Sequence, residues 1–430
     1  MNNLVWFRND LRVHDNHSLF QACQKGGKVI GVYFLDPRQF ENNKYGFKKT
    51  EKYRAKFLLE SLRNLKNNLA EKNISLLIYH DLPETIIPKL IKDYAISTIF
   101  LQKEWTKDEM RVQDHVNVNL NNQQANVVWV ETYDQFLFHP KDIPYADFAK
   151  IPEVFTEFRR KCEREIKIRS CVEIASKPIE NLIETSNVIP SLEDLGLESF
   201  QVHKHTAFPF RGGETAALKR MEHYFYETEH LSEYKKTRNG LIGADYSSKF
   251  SAWLANGAIS ARMIYWEVQQ YEREVCKNED TYWLIFELIW RDYFKYVSLK
   301  HGDTIFKLEG ILGKTYDWKI NDKALRQWIH GNTREPFVNA NMNELRLTGF
   351  MSNRGRQNVA SFWAKEWHQD WRVGAAYFES MLIDYDVHSN YGNWMYNSGV
   401  GNDPRDRKFN IQRQAEMYDG DGKYQKLWNG

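Results

Sequence analysis

GFMSNRGRQNVASFWAKEWHQDWRVGAAYFESMLIDYDVHSNYGNWMYNSGVGND, residues 349–403, decides how this chain is read. Two arginines lie two apart, Arg354 and Arg356, and two aspartates lie two apart, Asp384 and Asp386. Four tryptophans, an asparagine-rich turn and three late glycines surround them. A charge buried without a partner is costly, so these groups need partners. A large, flat, polar ligand in an aromatic pocket supplies them. On a strand the two aspartates face opposite ways, and on a helix they diverge. Paired carboxylates suggest a metal or acid–base work, and solvated charge at a helix end is the plain alternative. His388 is the only histidine near them, with no HExxH and no companion at ligand spacing, so no metal is expected. Arg356 is the better partner, because a guanidinium fork on a carboxylate survives burial and can present an edge to a ligand.

Around this stretch the pattern is helical almost throughout. Residues 215–227, 249–254, 260–273, 281–300, 322–330, 338–349, 353–367 and 371–385 carry a 3.6-residue period. The run from Trp283 to Phe294 leaves almost no polar face, which marks a buried helix, yet Glu287 and Arg291 sit inside it at i,i+4. They form either an ordinary intrahelical pair or contacts to a ligand. Upstream, Ser247, Ser248, Lys249, Phe250 and Ser251 open a helix. Hydroxyls and free backbone N–H groups at a helix start make an anion site; capping alone explains one serine, and three with a lysine lean toward phosphate. Trp318, Trp371 and Trp394 are three of 14 tryptophans, and for each alone core packing is the ordinary reading.

The first 130 residues behave differently. Short β-rich runs at 4–8, 29–35, 74–79, 98–101 and 127–130 alternate with helical patterns at 16–24, 51–71, 84–94 and 107–120. Such alternation predicts a parallel, Rossmann-like α/β sheet, without the GxGxxG of a dinucleotide site after the first strand. The spacing does not encode the strand order. Prolines punctuate the following segment, which holds one helical pattern at 154–168. The expected division is an α/β domain at 1–135, a connector at 136–205 and an all-α domain at 206–430.

With 430 residues there is room for two or three cores. The 59 basic and 57 acidic residues nearly balance, so any groove for nucleic acid must be local. Four cysteines without a CxxC argue against a disulfide framework and structural zinc. The N-terminus does not read as a signal peptide, and no apolar run spans a bilayer. A reduced, cytoplasmic monomer without membrane contact is expected.

Several ordered motifs resemble the photolyase/cryptochrome family over nearly the whole chain: WFRNDLRVHDN at 6–16, ELIWRDYF at 287–294, TGFMSNRGRQ at 348–357, DWRVG at 370–374 and LIDYDVHSNYGNW at 382–394. KTRNGLIGADYSSKFSAWLANG at 236–257 and NYGNWMYNSGVGNDPR at 390–405 resemble its DASH-type cryptochrome branch. The resemblance implies an antenna domain followed by a helical FAD-binding domain. It implies that Tyr234, Ser247, Ser248, Lys249, Phe250 and Ser251 hold the FAD phosphates and ribityl. Arg291, Arg356, Asp384 and Asp386 would grip the flavin side, with Asn390 facing flavin N5. Trp394, Trp371 and Trp318 match a tryptophan chain that passes electrons inward. The implied activity is blue-light repair of cyclobutane pyrimidine dimers by reduced FAD. Glu287 would bond or protonate the lesion, Asn353 would bridge adenine and lesion, and Trp290 would stack on the dimer, with Arg354 near the DNA backbone.

Gln357 and Tyr396 stand where many duplex photolyases carry Met and Trp, which implies single-stranded or damaged DNA as the partner. Asn339 and Asn343 replace an Asp and an Arg, lost together. The antenna implied is a folate, 5,10-methenyltetrahydrofolate, with Glu109 as its candidate contact or else an ordinary helix-start carboxylate. The alternative function is a flavin photoreceptor that signals through an unidentified partner without repair. The short stretch after Asp403, unlike a long signalling tail, leans toward the enzyme. A general flavin oxidoreductase is the weakest reading, for want of a nicotinamide fingerprint.

Overall fold

A computed structural model describes residues 1–184, 188–403 and 405–430. Residues 185–187 of the connector, and Pro404 within the 390–405 motif, lie outside that description.

Five strands form one parallel sheet: β1 Asn2–Trp6, β2 Val29–Phe34, β3 Ser75–Tyr79, β4 Ile96–Gln102 and β5 Val128–Thr132. The order is β3-β2-β1-β4-β5, with Leu4 opposite Ile30 on one side and Ile99 on the other. Strands β1 to β4 are apolar on both faces because helices cover both, as the continuous runs predict. The covering helices are α1 (His17–Gln24), α2 (Lys52–Ala70), α3 (Pro83–Asp93) and α4 (Lys107–Asn122). The chain reverses its direction of travel across the sheet between β1 and β4. In doubly wound sheets a ligand crevice opens at such a point, beyond the strands' carboxyl ends.

One helix, α5 (Phe155–Glu165), stands in the connector. The helical part contains α6 (Glu214–Glu222), α7 (Tyr234–Thr237), α8 (Ser251–Ala255), α9 (Ala261–Glu274), α10 (Glu279–His301), α11 (Asp322–Ile329), α12 (Pro336–Thr348), α13 (Asn353–Ser361) and α14 (Trp371–Met381). It ends in α15 (Val387–Ser398), α16 (Ile411–Tyr418) and α17 (Lys423–Asn429). Two expected helices finish in π turns, at His223–Glu227 after α6 and Phe362–Glu366 after α13. The helix expected over 249–254 starts later, at Ser251, and the one expected over 371–385 stops at Met381. No helix among the described residues is long and apolar enough to cross a membrane.

The two parts are joined by buried charge. Arg12, on the loop after β1, meets Asp134 at 2.8 Å; Arg262 of α9 meets Asp134 at 2.6 Å and Asp15 at 2.9 Å. All four side chains are 1% exposed or less, so each charge depends on the others. Asn339 and Asn343 are held locally: the Asn339 amide bonds the Thr333 backbone and the Asn343 amide donates to Trp428 O. That fits a compensated change.

Candidate functional site

A cavity of about 390 Å³ opens within the helical part. Its walls include the loop before α8, the middle of α10, the start of α13 and the turn into α15. It gathers Tyr234, Ser247, Ser248, Lys249, Phe250, Ser251, Glu287, Trp290, Arg291, Asn353, Arg356, Gln357, Asp384, Asp386 and Tyr396, residues scattered along the chain from 234 to 396.

The loop 246–250 is built for a guest. Lys249 has a left-handed backbone, φ 62°, which a residue with a side chain adopts at a cost of about 1–2 kcal/mol. Its ammonium is buried, lies 3.0 Å from the centroid of the Tyr246 ring and has no hydrogen-bond partner. Burial pushes its pKa well below the ordinary lysine value, with Glu344 pulling upward. A buried cation without a hydrogen-bonded acceptor fits an anionic group in the cavity, as phosphate would supply.

On the opposite wall, Arg356 Nη2 donates to both Asp384 oxygens, at 2.8 and 2.9 Å, and its Nε donates to Met351 O. The aspartates lie on neither a strand nor a continuing helix. Asp384 sits in the turn between α14 and α15. Asp386 is the N-cap of α15, accepting from Ser389 N at 2.8 Å and from Lys295 Nζ at 2.9 Å. Burial alone would raise the Asp386 pKa, but Lys295, His388 and Arg291 hold it far below the carboxylate range.

Glu287 and Arg291 do not pair with each other as i,i+4 spacing allows. Arg238 Nη1 donates to Glu287 at 2.5 Å, while Arg291 donates to the carbonyls of Gln135 and Leu254. Burial raises the Glu287 pKa, against Arg238, which suits a carboxyl that shares a proton with a guest. Trp290 stacks on Phe155 at 3.6 Å and meets Tyr396 edge-on at 6.2 Å. Arg354 is turned away from the cavity: it donates to Gln357 and Asn239 and lies over the Tyr418 ring. Asn390 is buried and donates to Ala375 O at 3.0 Å, whereas Asn393, one turn on, lines the cavity. Sequence reading missed Asn393, Arg238, Ser352 and Ser389; Ser352 carried a signal, as an N-cap before the 353–361 helix.

Trp394 and Trp371 are fully buried and Trp318 is half-buried, all in or against one aromatic core. Among the described residues no two of these three rings are in mutual ring contact. Trp371 meets Tyr391 at 6.0 Å and Trp318 meets Tyr316 at 5.4 Å.

Behind the cavity, Glu344 of α12 accepts from Tyr424 Oη at 2.6 Å, and its other oxygen has no partner. Burial pushes its pKa up to about 7, with Tyr424 and Lys249 opposing. A carboxyl whose folded pKa is raised stabilises the fold below its unfolded value, and that stability is lost as pH rises toward 7. The expected loss is on the order of 3 kcal/mol between pH 4.5 and pH 7, at 1.36 kcal/mol per pH unit. Glu344→Gln should flatten that part of the denaturant-midpoint profile; an unchanged profile would place the titration elsewhere.

A second cavity, about 270 Å³, lies at the carboxyl ends of β1, β2 and β4, where the doubly wound sheet predicts a crevice. Phe7, Asp36, Glu104 and Glu109 line it, and Leu254, Ala255, Arg291 and Asp386 are walls of both cavities. Glu109 accepts from Thr106 Oγ1. Burial raises the Glu104 pKa to about 7.

Residues 3–181 match the DNA photolyase family and residues 283–429 the FAD binding domain of DNA photolyase. The chain is 47% identical to Cryptochrome DASH of Gloeobacter violaceus, over 99% of this chain and 85% of that protein. It is 45% identical to Cryptochrome DASH of Xenopus laevis, over 98% and 81%. The crystal structure of the Synechocystis cryptochrome matches with a TM-score of 0.94 at 44% identity, covering 99% of this chain and 88% of that one. The chain belongs to the photolyase/cryptochrome family. Likeness to these relatives over nearly the full length of this chain places it in the cryptochrome DASH branch.

Proposed function

We propose that this protein repairs cyclobutane pyrimidine dimers under blue light, mainly in single-stranded or looped DNA. The observation that carries the reading is one cavity whose walls bring the unpartnered Lys249 ammonium and the Arg356–Asp384 pair together with Glu287, Trp290, Asn353, Gln357 and Tyr396. The first group fits FAD and the second fits a lesion beside it. The chemistry that FAD supplies when bound is a light-driven one-electron loan to the dimer, returned once its ring has opened. The chain's own residues bind and orient. Ser247, Ser248, Lys249 and Ser251 take the phosphates, with Tyr234 and Phe250 beside them. Arg291, Arg356, Asp384 and Asp386 hold the ring system, with Asn390 behind that wall and Asn393 on it. Glu287 hydrogen-bonds or protonates the lesion, Asn353 bridges adenine and lesion, and Trp290 stacks on the dimer.

Extrusion of a paired base costs a few kcal/mol, and Gln357 and Tyr396 offer a polar, smaller platform to repay it. The second cavity suits a folate antenna, 5,10-methenyltetrahydrofolate, beside Glu109. The chain divides into an antenna domain at 1–135, a connector at 136–205 and an FAD domain at 206–430, working in the cytoplasm as a monomer.

Photoreduced protein, given a dimer-bearing single-stranded oligonucleotide in blue light, should remove the lesion about tenfold or more faster than from plain duplex, the difference being the cost of extrusion. A looped-out dimer in duplex should match the single strand. Equal rates on plain duplex would remove the roles given to Gln357 and Tyr396. Lesions that persist with fully reduced FAD bound would favour the photoreceptor reading.

A further inference from the structure

Trp394 has a tryptophan neighbour outside the chain that sequence reading drew. Its ring lies 6.2 Å from that of Trp328, near the end of α11, at 72°. Trp328 lies 4.9 Å from Trp363 in the π turn after α13, and Trp363 lies 6.5 Å from Trp367 just beyond it. These are edge and tilted contacts of the kind aromatic pairs favour. The first three rings are buried, at 2% exposure for Trp394, 0% for Trp328 and 1% for Trp363, and the series ends at the half-buried Trp367.

We propose that Trp328, Trp363 and Trp367 form a second electron-relay branch leaving Trp394, parallel to Trp371 and Trp318. This rests on the reading of the main cavity as a flavin site. Trp394 gives one electron to the photoexcited flavin, and Trp328, Trp363 and Trp367 refill the vacancy in turn. Electron transfer weakens steeply with separation, so a string of indoles in ring contact is a competent path. The indole N–H groups of Trp394 and Trp328 are buried without a hydrogen-bond partner. That of Trp363 donates to Asp370 O, a carbonyl that cannot keep a proton. None of the three has a base to take its proton, so each stays a radical cation and passes the vacancy on. At Trp367 the indole proton leaves to water, trapping the vacancy at the margin. An external thiol then restores the neutral radical, giving up one hydrogen atom and ending as disulfide.

The test is made on flavin-loaded protein illuminated with an external thiol, with photoreduction followed by absorbance and light-dependent indole oxidation mapped by mass spectrometry without the thiol. Trp371→Phe should leave a slow photoreduction and keep the oxidation mark on Trp367 while losing that on Trp318. Adding Trp367→Phe should slow the remainder about tenfold more; adding Trp367→Tyr, which keeps an oxidisable ring, should restore much of it. Trp367 is half-buried and packs on Phe362, so Trp367→Tyr, which keeps an aromatic ring there, separates loss of the relay from loss of packing, and Trp328→Phe provides the buried counterpart. Equal rates in Trp371→Phe with and without Trp367→Phe, and no mark on Trp367, would overturn the branch. Absence of bound flavin would instead count against the cavity reading. In that case the flavin-free protein, oxidised by pulse-generated azide radicals, decides the branch: transfer between Trp367 and Trp328 that Trp363→Phe abolishes supports it, and no transfer overturns it.

Discussion

Asp384→Ala is expected to raise the dissociation constant for FAD about a hundredfold. The carboxylate is 2% exposed and receives two hydrogen bonds from one nitrogen of Arg356, whose side chain is 24% exposed. Removing one member of such a pair strands the other, at about 3 kcal/mol, the lower end for buried pairs because Arg356 keeps some water. At 1.4 kcal/mol per tenfold, that corresponds to about two decades of affinity. The freed guanidinium also loses its fixed orientation toward the cavity. Asp384→Asn keeps one acceptor and should fall between the variant and the parent. Equilibrium dialysis with flavin fluorescence measures the change; unaltered affinity would confine the pair to a role in folding.

Trp371→Phe should slow photoreduction of bound FAD about tenfold, a change of about 1.4 kcal/mol in the effective barrier. Trp371 is 0% exposed, and its indole N–H donates to Leu308 O at 3.0 Å, so phenylalanine leaves the packing nearly full and removes only the oxidisable ring and one hydrogen bond. Bleaching of the oxidised flavin under blue light, with excess thiol, reads the effect. On the proposed reading, in which the tryptophans only load electrons, repair by protein reduced chemically beforehand should be untouched. An unaltered bleaching rate would mean that electrons enter entirely by another path.

The α/β half was legible because burial on both faces makes each strand a dense apolar run. The strands at 29–34 and 75–79 fall within a residue of their expected limits. Strand order was not legible, since a crossover of any length leaves the same alternation. The final helices were also hidden. Residues 387–398 contain Gly392 and five asparagines or serines that blur an apolar stripe, and the helix is set instead by its Asp386 cap and by packing on α10 and α14. In the site, residue types and the Arg356–Asp384 pairing were readable, but the other pairings were not. Glu287 and Arg291 stand one turn apart, yet their partners come from Arg238, 49 residues away, and the Gln135 carbonyl, 156 residues away. Such choices are made by tertiary packing, which local spacing does not carry. The three tryptophans were singled out by motif, whereas the Trp328 contact required coordinates.

The buried quartet of Arg12, Asp15, Asp134 and Arg262 has a consequence for how the molecule comes apart. Arg262 belongs to the helical part, and its two acceptors belong to the α/β part. Separating the halves would break these buried ion pairs and expose Arg262 on one face and Asp15 and Asp134 on the other, so each half stabilises the other. The expected result is coupled melting of the two halves; two separate calorimetric transitions would show that the quartet does not bind them into one unit. The two cavities thereby keep a constant separation up to the temperature at which the whole chain unfolds.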